Sequence, residues 1–255
     1  MKKVNWKKSA ATLMCMVCVL PCSAASVNAN AAITANAASI TGALEDAMKT
    51  AVSIAKKVSA IETNSKYNMT STGRSIDAVP HYRNVGARSA QNYNKIIDQF
   101  NVAKNPRYKK FYKDGKLHTF CNIYAWDVMR AMNVPFSHWV APNGKPLTYN
   151  EAKKTKGAKE HGVTRHLEWI KKYGAKYGWR KVSASEAQKR ANKGYPTLVM
   201  NTSGEHIAVV RPETSKFKYT TNNPVISQAG ACNVNYGKAG YYFGTTKNLV
   251  YWTHD

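Results

Sequence analysis

The sequence predicts an α+β domain, with helices first and an antiparallel sheet after them. Helical patterns dominate from about residue 92 to residue 193, and from Tyr195 onward short strand-like runs broken by turns take over. The 255 residues suffice for one substantial domain with appendages, and nearly every aromatic residue lies beyond Ala78. The expectation is a functional domain over 78–255, preceded by a separate N-terminal helix.

The N-terminus reads as an export signal. Lys2, Lys3, Lys7 and Lys8 precede an apolar run from Ala10 to Leu20, and small-residue sites follow at Cys22-Ser23-Ala24, Val27-Asn28-Ala29, Ala29-Asn30-Ala31 and Ala35-Asn36-Ala37. That run is too short for a permanent membrane span and no later stretch approaches the length. Residues 1–37 are therefore expected to be signal and leader. The mature protein is expected to be secreted, extracellular or wall-associated, with no stable membrane insertion. Pro21 stands where a lipid anchor on Cys22 would need a small residue.

The 38 Lys and Arg against 14 Asp and Glu give a net charge of +24, and loss of the signal removes four lysines and no acids, leaving +20. Such a chain is drawn to polyanions. For an exported protein these are wall teichoic acids, anionic lipids and peptidoglycan carboxylates rather than nucleic acid. Next, Ile40, Leu44, Ala47, Met48, Ala51, Val52, Ala55, Val58 and Ile61 mark one stripe of an amphipathic helix over 38–62. One helix cannot bury that face alone. The polar, turn-rich stretch from Thr63 to Arg74 makes 63–77 a linker.

A short helix over Asn92 to Phe100 leads to the stretch Leu117 to Met132, which lacks Gly and Pro. Thr119 offers a side-chain cap, so the spacing predicts a helix beginning near Cys121. Cys121, Tyr124, Ala125, Val128, Met129 and Met132 fall on one apolar face that packs inward. A thiol at such a helix start meets unpaired backbone N–H groups and the positive end of the helix dipole, which favour thiolate. Pro135 stops the helix, Phe136 to Val140 form a loop and Asn143-Gly144 a turn. Helices return over Thr164 to Lys172 and Ala184 to Lys193. Strands are expected at Tyr195 to Met200, His206 to Val210, Val225 to Gln228, Ala231 to Asn235, Tyr241 to Phe243 and Leu249 to Trp252, with Asn201 to Gly204 turning between the first two.

Nucleophilic cysteine chemistry asks for a base on a sheet packed over the cysteine helix, and for a polar group that orients the imidazole. His206 opens a strand 85 residues after Cys121 and directly after a turn. His138, flanked by Phe136 and Trp139, is the competing base, and is assigned instead to the wall of a substrate cleft with Trp139. His81, His118, His161, His166 and His254 lie in loops, polar helices or the terminus and read as solvated. Gln228 ends a strand expected beside His206, with Asn233 and Asn235 as alternatives; a neutral amide accepts the imidazole N–H without burying a charge. The Cys121 backbone N–H is one candidate oxyanion donor, and Tyr108, Tyr112, His118 and Asn122 compete to supply a second or to hold the substrate amide. Outside the signal region neither CxxC nor HExxH occurs, so no metal site is expected. Cys15, Cys18 and Cys22 belong to the signal region, which leaves Cys121 and Cys232 as the possible halves of a disulfide.

Thr119-Phe120-Cys121-Asn122, then Ala125-Trp126-Asp127-Val128 and Ser137-His138-Trp139-Val140, resemble the cysteine region of papain-like cell-wall amidases and peptidases of the NlpC and CHAP type. Gly178-Trp179-Arg180, Glu186-Ala187-Gln188, Ala191-Asn192, His206 to Pro212 and Gln228 to Ala231 extend the similarity over roughly residues 101–243. The resemblance implies a papain-like fold and hydrolysis of a peptidoglycan amide bond, with Cys121 as nucleophile, His206 as base and no cofactor. Glu205 departs from it, standing where such proteins usually carry Gly. Two other readings accompany this one: a non-catalytic wall-binding protein locked by a Cys121–Cys232 disulfide, and a secreted toxin-like cysteine hydrolase.

Overall fold

Six strands form the central sheet of the domain, in the order β10-β9-β8-β7-β11-β6, every neighbouring pair antiparallel. They are β6 (Trp179–Val182), β7 (Thr197–Asn201), β8 (Ile207–Val210), β9 (Val225–Gln228), β10 (Val234–Lys238) and β11 (Leu249–His254). The runs Ile207-Ala208-Val209-Val210 and Val225-Ile226-Ser227-Gln228 are buried at every position. That is why they read as continuous apolar runs rather than as an alternation. The computed structural model describes residues 40–52, 74–78 and 80–255.

Helices α2 (Ala90–Asp98), α3 (Cys121–Ala131) and α6 (Ala184–Asn192) pack against the sheet and one another. α3 lies on β8 and β9, α6 on β7, β8 and β11, and α2 against both helices. Each boundary has a local cause. The Ser89 hydroxyl accepts the Asn92 N–H to start α2, and Ser183 does the same for Glu186 in α6. α3 begins at Cys121 as the sequence predicts, but its cap differs: the N-cap is Phe120, which makes no side-chain hydrogen bond. The inward face of α3 is wider than the expected stripe, because Ile123, Trp126, Asp127 and Ala131 are buried too. Asp127 is tolerated there because Arg107 grips both its oxygens, at 2.7 and 3.0 Å, and the Tyr108 hydroxyl donates to it at 2.7 Å.

A second, three-stranded sheet, β4-β3-β5, comprises β3 (Trp139–Val140), β4 (Pro146–Leu147) and β5 (Lys159–Glu160). It is flanked by α4 (Tyr149–Lys154), whose start is a reciprocal Thr148–Glu151 capping box, and is followed by α5 (Val163–Tyr173). Ahead of α3, β1 (Phe111–Lys113) and β2 (Lys116–His118) form an exposed hairpin about Asp114-Gly115, both left-handed. The strand expected at Tyr241 to Phe243 is instead the end of a short helix, α7 (Ala239–Tyr242). The strand expected from Ala231 starts later, at Val234, because the Asn233 side chain accepts the Gly230 N–H and holds 230–233 as a turn.

Residues 74–77, expected to close a linker, are bound into the domain. Arg74 donates to the Arg107 carbonyl and stacks over Phe120, Ser75 accepts the Trp139 indole N–H, and Asp77 accepts the Tyr149 N–H. Contacts divide the chain into units 1–58 and 59–255. In the first, α1 is described over residues 40–52, with Ile40, Leu44, Met48 and Val52 exposed along it. The expected signal and most of the expected linker lie outside the described residues. Among the described residues no helix is long and apolar enough to cross a membrane.

Candidate functional site

Cys121 is the first residue of α3 and is 3% exposed. The backbone N–H groups of Ile207, Asn122 and Cys121 and the Thr119 hydroxyl lie around its sulfur and favour the thiolate. Thr119 therefore serves the sulfur rather than the helix end. The Ile207 contact ties the thiol to the first residue of β8, and His206 immediately precedes it. Burial pushes the thiol up from its ordinary value, outweighing the hydrogen bonds that pull it down. The thiolate-favouring environment expected from helix position alone is thus reversed: the dipole and N–H groups are present, but β8 covers the sulfur.

His206 is positioned by a tight turn. The Asn201 side chain accepts the backbone N–H of both Glu205 and His206 at 2.9 Å. Gly204 is left-handed at φ +73° and pressed against Thr164, whose hydroxyl donates to its carbonyl at 3.0 Å. Phe243 packs on the imidazole with ring centres 4.7 Å apart. Desolvation lowers the His206 pKa, and the Gln228 side chain opposes that by favouring the charged ring. His206 Nε2 and Gln228 Oε1 are both buried and lack an aligned hydrogen-bond partner. Both side chains lie beside Gly230. Gln228 is held from its other end, where Nε2 donates to the Cys232 carbonyl at 2.5 Å. Gly230 leaves room for the pair, since a Cβ there would meet Gln228 Oε1 at 2.7 Å and His206 Cε1 at 3.3 Å.

The competing orienting groups are occupied elsewhere. Asn233 donates to the Val102 and Tyr108 carbonyls, and Asn235 bridges Asn101 and Ala103. Glu205 is exposed, and its carboxylate accepts from Ser203 and Asn201 rather than facing the imidazole. Asn122 stays at the site, its amide donating to the His161 carbonyl at 3.4 Å. The remaining expected substrate contacts are corrected by burial. Tyr108 is 0% exposed with its hydroxyl committed to Asp127, and His138 is 0% exposed, stacked on Trp126 at 4.0 Å and 3.2 Å from Glu160. Neither can line a cleft. Trp139 is half-buried with its indole N–H given to Ser75. His166 also departs from the solvated reading: it is fully buried, bonded to Ser137 at 2.9 Å, with its pKa pushed well down.

Cys121 and Cys232 are both free thiols, one buried and one exposed, so the disulfide expected as the alternative is not formed. Among the described residues no group of three His, Cys, Asp or Glu side chains is arranged to hold a metal ion. Sequence reasoning missed that Thr119 and Ile207 lie against the sulfur, a placement that depends on strand and loop packing that no residue pattern carries. Scanned against protein-family models, the chain matches none, and a search of curated proteins likewise found no match.

Proposed function

We propose that this chain is a papain-like cysteine amidohydrolase that cleaves a peptide amide of peptidoglycan outside the cell. One observation carries the reading: α3, which begins at Cys121, packs on β8, which begins directly after His206, and the His206 ring lies beside Gln228 at Gly230. In this reading His206 takes the thiol proton as the sulfur attacks the carbonyl carbon. The first-turn N–H groups of Cys121 and Asn122 hold the oxyanion. The amine leaves with the proton from His206, and water then resolves the thioester. The high positive charge concentrates the enzyme on anionic wall polymer.

The test incubates the protein and Cys121→Ala with purified peptidoglycan and reads released fragments by mass spectrometry. Cys121→Ala is expected to lower release by on the order of 10⁴-fold, to background. The burial of Cys121 and its raised pKa favour a second reading, a wall-binding protein without catalysis. Binding to walls by both proteins with cleavage by neither would establish that one instead.

A further inference from the structure

Beside the Cys121 helix, α5 and the small β4-β3-β5 sheet wall a cavity of about 530 Å³. Arg165, Glu168, Trp169, Lys172 and Tyr173 enter it at three- and four-residue spacing, hence from one face of α5. Its floor is aromatic and fixed. Trp169 is buried and its indole N–H donates to the Gly144 carbonyl at 2.8 Å. Gly144, left-handed at φ +84°, lies so close to the Tyr173 ring that a Cβ would meet it at 2.7 Å.

The rim is charged, with the Lys172 ammonium 5.0 Å above the Tyr173 ring. Arg165 and Lys172 on α5 and Lys159 on β5 are exposed, against the single acid Glu168. None of these four makes an ion pair or a side-chain hydrogen bond among the described residues. His161 completes the wall, with Nδ1 buried and unpartnered. Its carbonyl accepts the Asn122 amide, so the cavity adjoins the residue next to Cys121.

Cations around a rigid aromatic ring suit a sugar that carries an oxyanion: its C–H face lies on the half-buried Tyr173 ring, which Trp169 backs from below, while the carboxylate or phosphate meets the guanidinium and ammonium groups. We propose that this cavity binds an oxyanion-bearing saccharide unit and so holds an acidic wall glycan alongside Cys121. The site names the substrate class of the hydrolase proposed above and rests on that reading for its consequence.

Binding is measured on the full chain carrying Cys121→Ala, following the Trp169 indole N–H signal by NMR, assigned with Trp169→Phe. The probes are N-acetylmuramic acid, N-acetylglucosamine 1-phosphate and uncharged N-acetylglucosamine, each up to about 10 mM, the range in which single-unit fragments bind. At least one acidic sugar is expected to shift the signal saturably, the neutral sugar not, and the tighter acid identifies carboxylate or phosphate as the natural group. Arg165→Glu with Lys172→Glu, exposed side chains whose exchange spares the core, is expected to weaken that binding by about tenfold or more. Failure of both acids to bind, equal binding of the neutral sugar, or indifference to the double substitution overturns the site. Wall cleavage by the unsubstituted chain is scored separately. Cleavage without probe binding removes the site and leaves the hydrolase, whereas probe binding without cleavage removes the hydrolase and leaves the site.

Discussion

At Cys121 two influences oppose each other, and burial is the larger. Four groups from α3, β8 and the preceding loop favour the thiolate, yet the thiol pKa is raised, while that of His206 is lowered. At neutral pH the resting pair is therefore thiol and imidazole rather than thiolate and imidazolium. In the proposed hydrolysis, proton transfer would then accompany attack on the carbonyl instead of preceding it. Alkylation distinguishes the two cases. With iodoacetamide at pH 7 the exposed Cys232 is expected to label before Cys121. Cys121 labelling should climb about tenfold per pH unit to beyond the ordinary thiol value, as deprotonation alone dictates. Peptide mass mapping across pH 6 to 10 reads this directly. Fast, pH-independent labelling of Cys121 below pH 7 would mean a preformed ion pair and contradict the assignment.

At the scale of elements, α3 depends on a buried ion pair that its own sequence does not advertise. Arg107 and Asp127 are both almost fully buried, with side chains 1% and 0% exposed, and Arg107 also donates to the Ile76 carbonyl. Removing one charge strands the other. Asp127→Asn is expected to lower stability by about 3–5 kcal/mol in chemical denaturation, and Arg107→Met with Asp127→Leu by much less, since the desolvation cost disappears with the pair. Equal losses in the two variants would show that the pair is merely space-filling. The same helix shows what was readable beforehand. The absence of Gly and Pro and the apolar spacing located α3, and the apolar runs located β7, β8 and β9, so the order Cys121, His206, Gln228 was legible. The β1–β2 hairpin, α4 and the small sheet were not, being too short to show a period, although Asp114-Gly115 and Thr148 with Glu151 carried their signals. Tyr108 and His138 were misassigned because burial is a tertiary property: polar residues in a loop look solvated until Asp127 or Trp126 is brought against them.

Over the whole molecule, histidines kept neutral by burial set the acid limit of stability. Burial lowers the pKa of His166 well below its ordinary 6.5, that of His161 to about 4, and those of His206 and His254 as well. His166 lies beside His138 and His161, which further oppose charging it. A folded pKa below the unfolded one means that the unfolded chain binds more protons. The stability these groups contribute is therefore complete above about pH 6.5 and is lost as the pH falls toward 4. The carboxylates act in the same direction at lower pH, Glu160 being held below its ordinary value chiefly by His138. A second acid effect is general: protonation adds charge to a chain already at +24 and raises its self-repulsion. Salt separates the two, because it screens exposed charges and leaves buried ones nearly untouched. The urea midpoint is expected to fall between pH 7 and pH 5, and most of that fall should persist in 0.5 M NaCl, where the Debye length is only several ångströms. His161→Gln, which removes one titrating group from a half-buried position, should flatten the pH 7 to 5 slope without lowering the midpoint at pH 5. A fall that vanishes in high salt would assign acid sensitivity to surface charge and remove the histidines from the account.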